Sequence, residues 1–411
     1  MARAGTPSAA ASSRRASRRG GRGSSVAVRA GVGLGPPAKN ATSTASVGVP
    51  AGSDAVPVSG PSPLMVGAGA AAVVATAAGV KYLFDKPSRA YEETTVGAEY
   101  DSWTEDGVLE YYWGEHIHLG YYTDEERAKG YLKKDFKQAK FDFVDEMLEW
   151  SGLEGKPARV LDVGCGIGGT SRYLARKFGA GTEVTGITLS PKQQGRATAL
   201  AAEQETPNAS FRVMDALNME FEDNQFDLVW ACESGEHMPD KKAYVEEMAR
   251  VLKPGGTMVV ATWCQRETPP EFSAEEQSDL TFLYEEWAHP YFVSIEEYVR
   301  LMEGTGKLQS CGSDNWADNT IDSWRHSIWV GVFDPWIVVF KGPFIWYKTV
   351  REIVTLERMH RAFDRGLMTY GMMKAKKKAA PIVPEESSEE SSVGATKALA
   401  SAATETVTVD A

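Results

Sequence analysis

The chain has 411 residues, four cysteines and a net charge of −12, which leaves room for one large domain with further segments at both ends. The first 60 residues carry seven Arg, one Lys and a single acid, so the rest of the chain has a net charge of −19. An acidic body argues against nucleic acid as a partner. The cysteines lack the spacing of a zinc site or a disulfide framework, so neither is predicted.

The two ends differ in composition from the middle. Residues 1–54 are rich in Arg and Ser and have no acid before Asp54, which is typical of an organelle transit peptide; a disordered basic tail is the alternative. Residues 55–86 are rich in Gly and Ala and long enough to span a bilayer but contain few large aliphatic side chains. A membrane anchor and the end of the targeting sequence both remain open there. Residues 379–411 have the composition of a disordered acidic tail.

A glycine array stands between a strand pattern and a helix pattern. Residues 160–163 form a short β-branched run and residues 170–178 have helical apolar spacing. Gly164, Gly166 and Gly169 between them form a G-x-G-x-x-G array, in which bare backbone can contact a ligand and present amide groups to its anion. The array alone does not choose among nicotinamide, flavin and S-adenosylmethionine sites.

The acids around this array favour S-adenosylmethionine. Asp162 precedes Gly164 by two residues, where its carboxylate can orient the loop and face the ammonium group of a methionine moiety. A nicotinamide site instead requires an acid about 20 residues further on, at the end of the second strand. The second predicted strand, residues 183–189, ends without an acid. A glycine turn that serves only packing is the structural alternative.

The segment 88–156 is predicted to be a helical lid. Residues 90–110 and 131–151 have amphipathic helical patterns. Between them, residues 111–122 contain five aromatic side chains, two histidines and Glu115. One interpretation is a lid that folds over the cofactor, with aromatic faces near a sulfonium cation and a histidine facing the substrate. A satisfied aromatic core is the other.

Strand and helix patterns then alternate between residues 159 and 263, which predicts an α/β, Rossmann-like, doubly wound and mostly parallel sheet within a catalytic domain at 157–378. Residues 368–373 are predicted to close it with an antiparallel strand, followed by a solvated basic edge at 374–378. The further predicted elements are strands at 209–214, 226–231 and 257–263 and a helix at 193–203.

An aromatic insertion at about 268–365 is predicted to cap the strand ends. Its second part, residues 320–350, is unusually apolar for an acidic protein. A second helical core layer is one interpretation of this tract. The other is a wall for a lipid-like substrate or a surface that touches a membrane.

Candidate site residues follow the third and fourth strands, where open α/β sheets bind their ligands. Asp215 is placed to accept a hydrogen bond from an exocyclic amine while Ala216 covers a flat base; a solvated turn acid is the alternative. Glu233, Glu236 and His237 begin the loop after the fourth strand.

Several stretches together resemble one enzyme family. The stretches 160–169, 186–191 and 233–241, with the Trp-Gly-acid-His-x-His pattern from Trp113, resemble the γ-tocopherol methyltransferase family of class I S-adenosylmethionine-dependent methyltransferases. The resemblance covers about 95–375 and implies ring methylation of prenylated quinols or chromanols in plastids and cyanobacteria. A branch of the family methylates indole nitrogen. The carboxy-terminal half resembles the enzymes of 2-methyl-6-phytyl- and solanesyl-benzoquinol, whereas residues 233–237 resemble the γ-tocopherol enzymes, which leaves the substrate open.

The resemblance also implies roles for individual residues. Asp162, Gly164 and Gly166 would hold the methionine end, Thr188 and Gln193 the ribose, and Asp215 the adenine. Cys165, Ala216 and Glu233 are also predicted to bind the cofactor.

Methylation of a phenolic ring carbon needs a proton acceptor, because the hydroxyl and later the ring carbon must lose a proton. We expect His118, Glu236 and His237 to supply it; a bracing role for Glu236 and His237 is the alternative. The expected location is a plastid, in contact with a membrane surface.

Overall fold

The computed structural model describes residues 82, 84–87 and 95–379. The predictions for residues 1–54, for most of 55–86 and for 380–411 lie outside the described residues. Within the described part, none of the helices combines the length and the apolar character that crossing a bilayer requires.

The centre of the fold is a seven-stranded sheet in the order β3-β2-β1-β4-β5-β7-β6. Strands β3, β2, β1, β4 and β5 pair in parallel, whereas β7 runs antiparallel to both β5 and β6. The doubly wound, mostly parallel sheet is therefore confirmed. The strands are β1 Arg159–Val163, β2 Glu183–Thr188, β3 Ala209–Val213, β4 Phe226–Cys232, β5 Leu252–Gln265, β6 Leu308–Asn315 and β7 Met368–Lys377.

Helices cover both faces of this sheet. They are α1 Thr95–Asp106, α2 Val108–Trp113, α3 Asp124–Lys129, α4 Phe136–Ser151, α5 Gly169–Phe178, α6 Pro191–Glu203, α7 Lys241–Val251, α8 Ala274–Glu286, α9 Ile295–Gly304, α10 Ala317–Thr320, α11 Asp322–Phe333, α12 Trp336–Val339 and α13 Pro343–Asp364, with 3-10 turns at Tyr131–Lys133 and Gly235–His237.

Strand β1 separates two hydrophobic cores because successive side chains of a strand point to opposite faces. Val160 packs with side chains of α4, α5, α6 and α13. Leu161 and Val163 pack with side chains of α7 and α9 on the other face. Chain order reverses between β1 and β4, and in such folds ligands bind beyond the carboxyl ends of the strands at this switch point.

Three local predictions need correction, and one strand was missed. The helix expected at 90–110 is divided by Gly107 into α1 and α2, and the one expected at 131–151 begins at Phe136, where the Asp135 side chain accepts a hydrogen bond from Gln138 N at 2.7 Å. Strand β6 was not predicted. Because β6 covers β7, residues 374–377 continue an interior strand, and the expected solvated basic edge is wrong.

Candidate active site

A cavity of about 100 Å³ lies at the carboxyl ends of β1, β2 and β4. The glycine loop, the end of β2 and the loop after β4 form its walls, and the lid segment covers it. Of the residues predicted to bind the cofactor, the following line it: Asp162, Gly164, Cys165, Gly166, Thr188, Gln193 and Glu233.

The glycine loop is shaped by a close contact with the loop after β4. Gly164 has a left-handed φ of 82°, and a Cβ added there would collide with the Cβ of Ser234. The Ser234 hydroxyl in turn donates to Val163 O at 2.7 Å. A side chain at position 164 would therefore disturb both walls of the cavity.

Asp162 places a buried carboxylate in this cavity. The side chain is 2% exposed, and its Oδ2 accepts a hydrogen bond from Ser171 Oγ at 2.5 Å. Burial raises the pKa of Asp162 to about 6. A cationic group bound beside it would offset this desolvation, so the site suits the ammonium group of a methionine moiety.

The lid segment is fixed to α5 by an ion pair. Arg172 of α5 is fully buried, and its Nη2 lies 2.7 Å from Glu115 Oε2. Gln204 Nε2 donates to the other carboxylate oxygen of Glu115 at 2.7 Å. At Gly169 the lid backbone comes so close that a Cβ would collide with Glu115 O.

His118 lines the cavity of about 100 Å³, which is here called the cofactor cavity because most of the predicted cofactor residues lie on its wall. Its Nδ1 donates to Leu119 O at 2.8 Å, and its Nε2 lies 3.4 Å from Nδ1 of His116. Burial lowers the pKa of His118 to about 3. The imidazole is neutral near pH 7, and the role of His118 as a proton acceptor stays a prediction.

The second cavity, here called the chamber, has a volume of about 670 Å³ and a mostly apolar wall. Side chains of α2, α11, α12 and α13 form much of this wall, together with Trp263 and Trp287. Ile117, Glu233 and His237 line both the chamber and the cofactor cavity. A ligand in the chamber can therefore meet one in the cofactor cavity at these three residues.

Two buried carboxylates lie at the inner end of the chamber. Glu233 Oε1 accepts hydrogen bonds from Leu119 N and from Tyr370 Oη, each at 2.7 Å. Glu236 Oε2 accepts one from Thr262 Oγ1 at 2.6 Å. Burial raises the pKa of both carboxyls well above their ordinary range, and their mutual repulsion adds to the shift at Glu233. Such groups hold or release a proton near neutral pH.

Glu233 also has an unusual backbone. Its φ is 49°, in the left-handed region that non-glycine residues seldom occupy. Such a conformation costs on the order of 1 kcal/mol and persists only where surrounding contacts enforce it. Glu233 N donates to Ala261 O at 2.8 Å, which anchors this turn to β5.

His237 lies beside Glu236 in the same 3-10 turn. Burial lowers the pKa of His237 to about 3, so the ring is neutral at physiological pH. It packs against the ring of His289 with centroids 4.4 Å apart.

Lys241 fastens the loop that carries these residues. Its side chain is buried, and its Nζ donates to the carbonyl oxygens of Gly235, Glu236 and Met238 at 2.8, 3.1 and 2.8 Å. The three donors of one ammonium group thus hold the backbone of the 3-10 turn in place.

Two predicted cofactor residues lie elsewhere. Asp215 and Ala216 are not on the wall of the cofactor cavity. Asp215 is exposed, and its Oδ1 accepts a hydrogen bond from Leu217 N at 2.8 Å, as in a turn cap. The aromatic side chains of the lid also differ from expectation, since Tyr112 and Trp113 line the chamber and not the cofactor cavity.

Sequence reasoning missed His289 and the role of Lys241. His289 is fully buried and lines the chamber. The sequence did contain a signal for His289, which lies within the aromatic stretch 282–292. A polar ring buried among apolar side chains is costly, so its presence there indicates a functional or structural role.

The donor set of the cofactor cavity fits S-adenosylmethionine. A buried carboxylate at Asp162 suits an ammonium group. The Thr188 hydroxyl and the Gln193 amide, joined by a hydrogen bond of 2.7 Å, suit the hydroxyls of a ribose.

Comparison with known proteins agrees with this geometry. A model described as a methyltransferase domain matches residues 160–256. The 2-methyl-6-phytyl-1,4-hydroquinone methyltransferase of Synechocystis is 45% identical over 75% of this chain and 94% of its own length. The chloroplastic tocopherol O-methyltransferase of Arabidopsis thaliana is 38% identical over 66% of this chain and 79% of its own.

Solved structures support the fold. A putative sarcosine dimethylglycine methyltransferase from Galdieria sulphuraria superposes with a TM-score of 0.56 and 23% identity, covering 66% of this chain and 98% of its own. The chain belongs to the family of 2-methyl-6-phytyl-1,4-hydroquinone and tocopherol methyltransferases and is an S-adenosylmethionine-dependent enzyme.

Proposed function

We propose that this enzyme methylates a ring carbon of a prenylated phenol in tocopherol or plastoquinol synthesis, with a 2-methyl-6-prenyl-1,4-hydroquinone as the first candidate and γ- or δ-tocopherol as the second. The observation that carries this proposal is the apolar chamber that joins the cofactor cavity at Ile117, Glu233 and His237. The higher identity to the hydroquinone enzyme than to the tocopherol enzyme supports the order of the candidates.

The chamber suits a lipid-like phenol better than a small amine. Its volume of about 670 Å³ exceeds what a compact amine or indole would fill. Glu233 and Glu236 lie at its inner end, where a phenolic ring would lie, and most of the remaining wall is apolar, which suits an isoprenoid tail.

Glu236 is the proposed base for the ring hydroxyl. S-adenosylmethionine, when bound, supplies the electrophilic methyl group. Glu236 Oε1 accepts the hydroxyl proton, which raises electron density on the adjacent ring carbon, and returns it when the ring regains aromaticity. Glu233, at the junction of the two cavities, accepts the proton that the methylated carbon loses. The apolar wall excludes water from these transfers.

Purified enzyme incubated with a labelled methyl donor and each candidate ring tests the proposal. We expect incorporation into the hydroquinone, with the new methyl on carbon and both hydroxyls retained, which NMR of the product distinguishes from O-methylation. A tailless indole and a small amine serve as controls for the N-methylation alternative. Failure to methylate any prenylated ring would overturn the assignment.

The predicted roles in cofactor binding remain part of the proposal. Asp162, Gly164, Cys165 and Gly166 would hold the methionine end, and Thr188 with Gln193 the ribose; their places on the cavity wall support these roles. The adenine roles of Asp215 and Ala216 lack this support. Calorimetry with S-adenosylhomocysteine on single variants measures each contribution.

An exposed apolar surface supports association with a membrane. Between residues 329 and 350 the only charged residues are Asp334, Lys341 and Lys348, although the body of the protein is strongly acidic. Phe340 is 83% exposed and Phe333 70% exposed. We name this group of exposed side chains the aromatic patch; it comprises Trp329, Val332, Phe333, Trp336, Val339, Phe340, Phe344, Trp346, Tyr347 and Val350.

The aromatic patch is continuous with the chamber. Val332, Val339, Trp346 and Val350 are exposed and also line the chamber, so the outer part of the chamber reaches the surface inside the patch. A lipid-like substrate could then pass from a bilayer into the chamber without crossing water.

Vesicle flotation tests the surface. Phe340→Glu combined with Trp336→Glu should abolish co-flotation with phosphatidylcholine vesicles containing anionic lipid and leave turnover of a short-tailed, water-soluble quinol unchanged. Val213→Glu, which alters an exposed apolar residue at the end of β3, is the matched control. Flotation of the double variant equal to that of wild type would contradict the proposal.

A plastid is the proposed location. Two relatives are chloroplastic proteins, and residues 1–54 have the composition of a transit peptide. An import assay with isolated chloroplasts tests this location. Retention of the full-length protein outside the organelle would contradict it.

A further inference from the structure

Several residues that line the chamber carry buried polar atoms with no hydrogen-bond partner among the described residues. These atoms include Glu236 Oε1 and the indole Nε1 atoms of Trp263 and Trp324. A buried polar group left unpaired destabilises a fold, so each such group in a native protein calls for an explanation. Several such groups on the residues of one cavity wall point to a ligand that completes their bonding.

The two indoles belong to one contiguous group of rings on the chamber wall. The rings of Trp263 and Trp324 meet edge to face with centroids 5.0 Å apart. The ring of His289 lies 5.4 Å from that of Trp263 and 4.4 Å from that of His237, which follows Glu236 in the chain. The unpaired carboxylate oxygen and the two indole groups therefore border the same inner end of the chamber.

A neighbouring tryptophan provides a contrast. Trp287 stacks on Trp324 with centroids 5.9 Å apart and an interplanar angle of 16°. Its Nε1 donates to Glu352 Oε2 at 3.0 Å. The indole of Trp287 is thus satisfied by the protein, whereas those of Trp263 and Trp324 are not.

The chemistry of the unpaired groups determines which ligand atoms could bond to them. An indole N–H donates and cannot accept, so only an acceptor atom satisfies it. The carboxylate oxygen of Glu236 requires a donor, which a ring hydroxyl supplies. One ligand can meet both demands if its ring carries a hydroxyl and, at another position, a second oxygen.

We propose that the indole N–H groups of Trp263 and Trp324 bind the second oxygen of a dioxygenated aromatic ring whose first hydroxyl meets Glu236. This inference rests on the proposed function and adds to it a residue-level reason for selecting quinol-type rings over monophenols. Trp263 and Trp324 are thereby specificity-determining residues.

The experiment replaces each tryptophan by phenylalanine, which keeps an aromatic ring and removes the N–H group. Trp263→Phe and Trp324→Phe are assayed on a prenylated 1,4-hydroquinone and on the matched monophenol that lacks the hydroxyl remote from the methylated carbon. The intrinsic reactivities of the two rings differ, but this difference cancels when variant and wild type are compared on each ring.

We expect each variant to lose about five- to tenfold in kcat/KM on the hydroquinone, mainly through KM, and less than about twofold on the monophenol. Trp316→Phe is the control, because its Nε1 donates to Asp314 Oδ2 and it lies off the chamber wall. Equal losses on both rings would show that the tryptophans only pack and would overturn the inference.

Spectroscopy provides a test that does not require the variants to fold well. In wild-type enzyme labelled with ¹⁵N-tryptophan, two indole N–H resonances should shift when the hydroquinone binds and remain in place with the monophenol. Absence of such a difference would refute the inference even if methylation occurs. Failure of wild type to methylate either ring would instead remove the proposed function on which it rests.

Discussion

The hydroxyl of Tyr370 donates to Glu233 Oε1 at 2.7 Å, which joins the antiparallel strand β7 to the loop after β4. The same carboxylate oxygen accepts from Leu119 N of the lid, also at 2.7 Å. A single side chain thus ties together the sheet, the lid and the junction of the two cavities. The left-handed φ of Glu233, 49°, is held by these contacts.

Replacing Glu236 by glutamine should slow methyl transfer. Gln keeps the shape and the contact with Thr262 but cannot accept the hydroxyl proton, so we expect kcat to fall about 10²- to 10⁴-fold with little change in affinity for S-adenosylhomocysteine. Because burial raises the pKa of Glu236, wild-type kcat should rise with pH through a range above the ordinary carboxyl value of about 4, and this rise should be absent from the variant.

Glu246→Gln is the control for that experiment, since Glu246 is an exposed side chain on α7 that pairs with Lys242 at 3.7 Å. A Glu236→Gln enzyme with wild-type kcat would assign Glu236 a bracing role.

The same substitution should stabilise the protein at alkaline pH. A carboxyl whose pKa is raised by folding contributes stability below its unfolded pKa and loses that contribution as pH rises through its folded pKa. Glu236→Gln removes the buried charge, so its Tm should exceed that of wild type by an amount that grows between about pH 5 and pH 9. Differential scanning fluorimetry across that range measures the difference. A Tm difference independent of pH would mean that folding does not raise the pKa of this carboxyl.

Gly164→Ala should weaken cofactor binding. The added Cβ would collide with Ser234, and the φ of 82° strains any residue with a side chain. We expect affinity for S-adenosylhomocysteine to fall at least about tenfold and stability to fall by about 1–3 kcal/mol. Gly155→Ala has a comparable φ of 72° but nothing within 4 Å of its Cβ. Calorimetry on both variants separates strain alone from damage to the cavity, and equal affinities in the two would count against the assigned loop.

Lys241→Met should uncouple the catalytic loop from α7. The three carbonyl oxygens of residues 235, 236 and 238 lose their shared donor, and we expect a loss of about 1–3 kcal/mol in stability with a fall in kcat larger than that in cofactor affinity. Lys242→Met changes an exposed neighbour and should leave both unchanged. Urea unfolding with steady-state kinetics measures these effects. Normal kcat in Lys241→Met would show that the loop holds its shape without this lysine.

Asp215→Asn tests the predicted adenine contact. Asn can still cap the turn at Leu217 N, so stability should be nearly unchanged. If the carboxylate receives the exocyclic amine of adenine, affinity for S-adenosylhomocysteine should fall about tenfold while kcat at saturating cofactor stays constant. Unchanged affinity would leave Asp215 as a turn residue only.

The fold and the cofactor cavity were predictable because their signals are local. Parallel strands are short buried runs, and the glycine loop with Asp162 has a fixed spacing within one crossover. Strand β6 was missed because Leu308–Asn315 contains few apolar side chains and becomes a strand through pairing with β7. Whether this segment forms a strand depends on its pairing with β7, about 60 residues further along the chain, and a local sequence pattern does not contain that information.

The inner end of the chamber was only partly predictable. Glu236 and His237 follow a strand, where sheets of this class place ligands, and were identified on that basis. His289, Trp263 and Trp324 come from separate segments and meet only after the cap folds over the sheet. His118 carried a strong local motif, and the structure places it on the wall of the cofactor cavity with its Nδ1 bonded to Leu119 O.

Gly169 lacks a side chain where the lid backbone at Glu115 touches helix α5. Gly169 therefore has two roles. It is the last glycine of the G-x-G-x-x-G array, and its missing side chain leaves room for the lid segment. Engineers who transplant substrate preference between related enzymes should therefore keep Gly169, because a side chain at position 169 would displace the segment that carries His116 and His118.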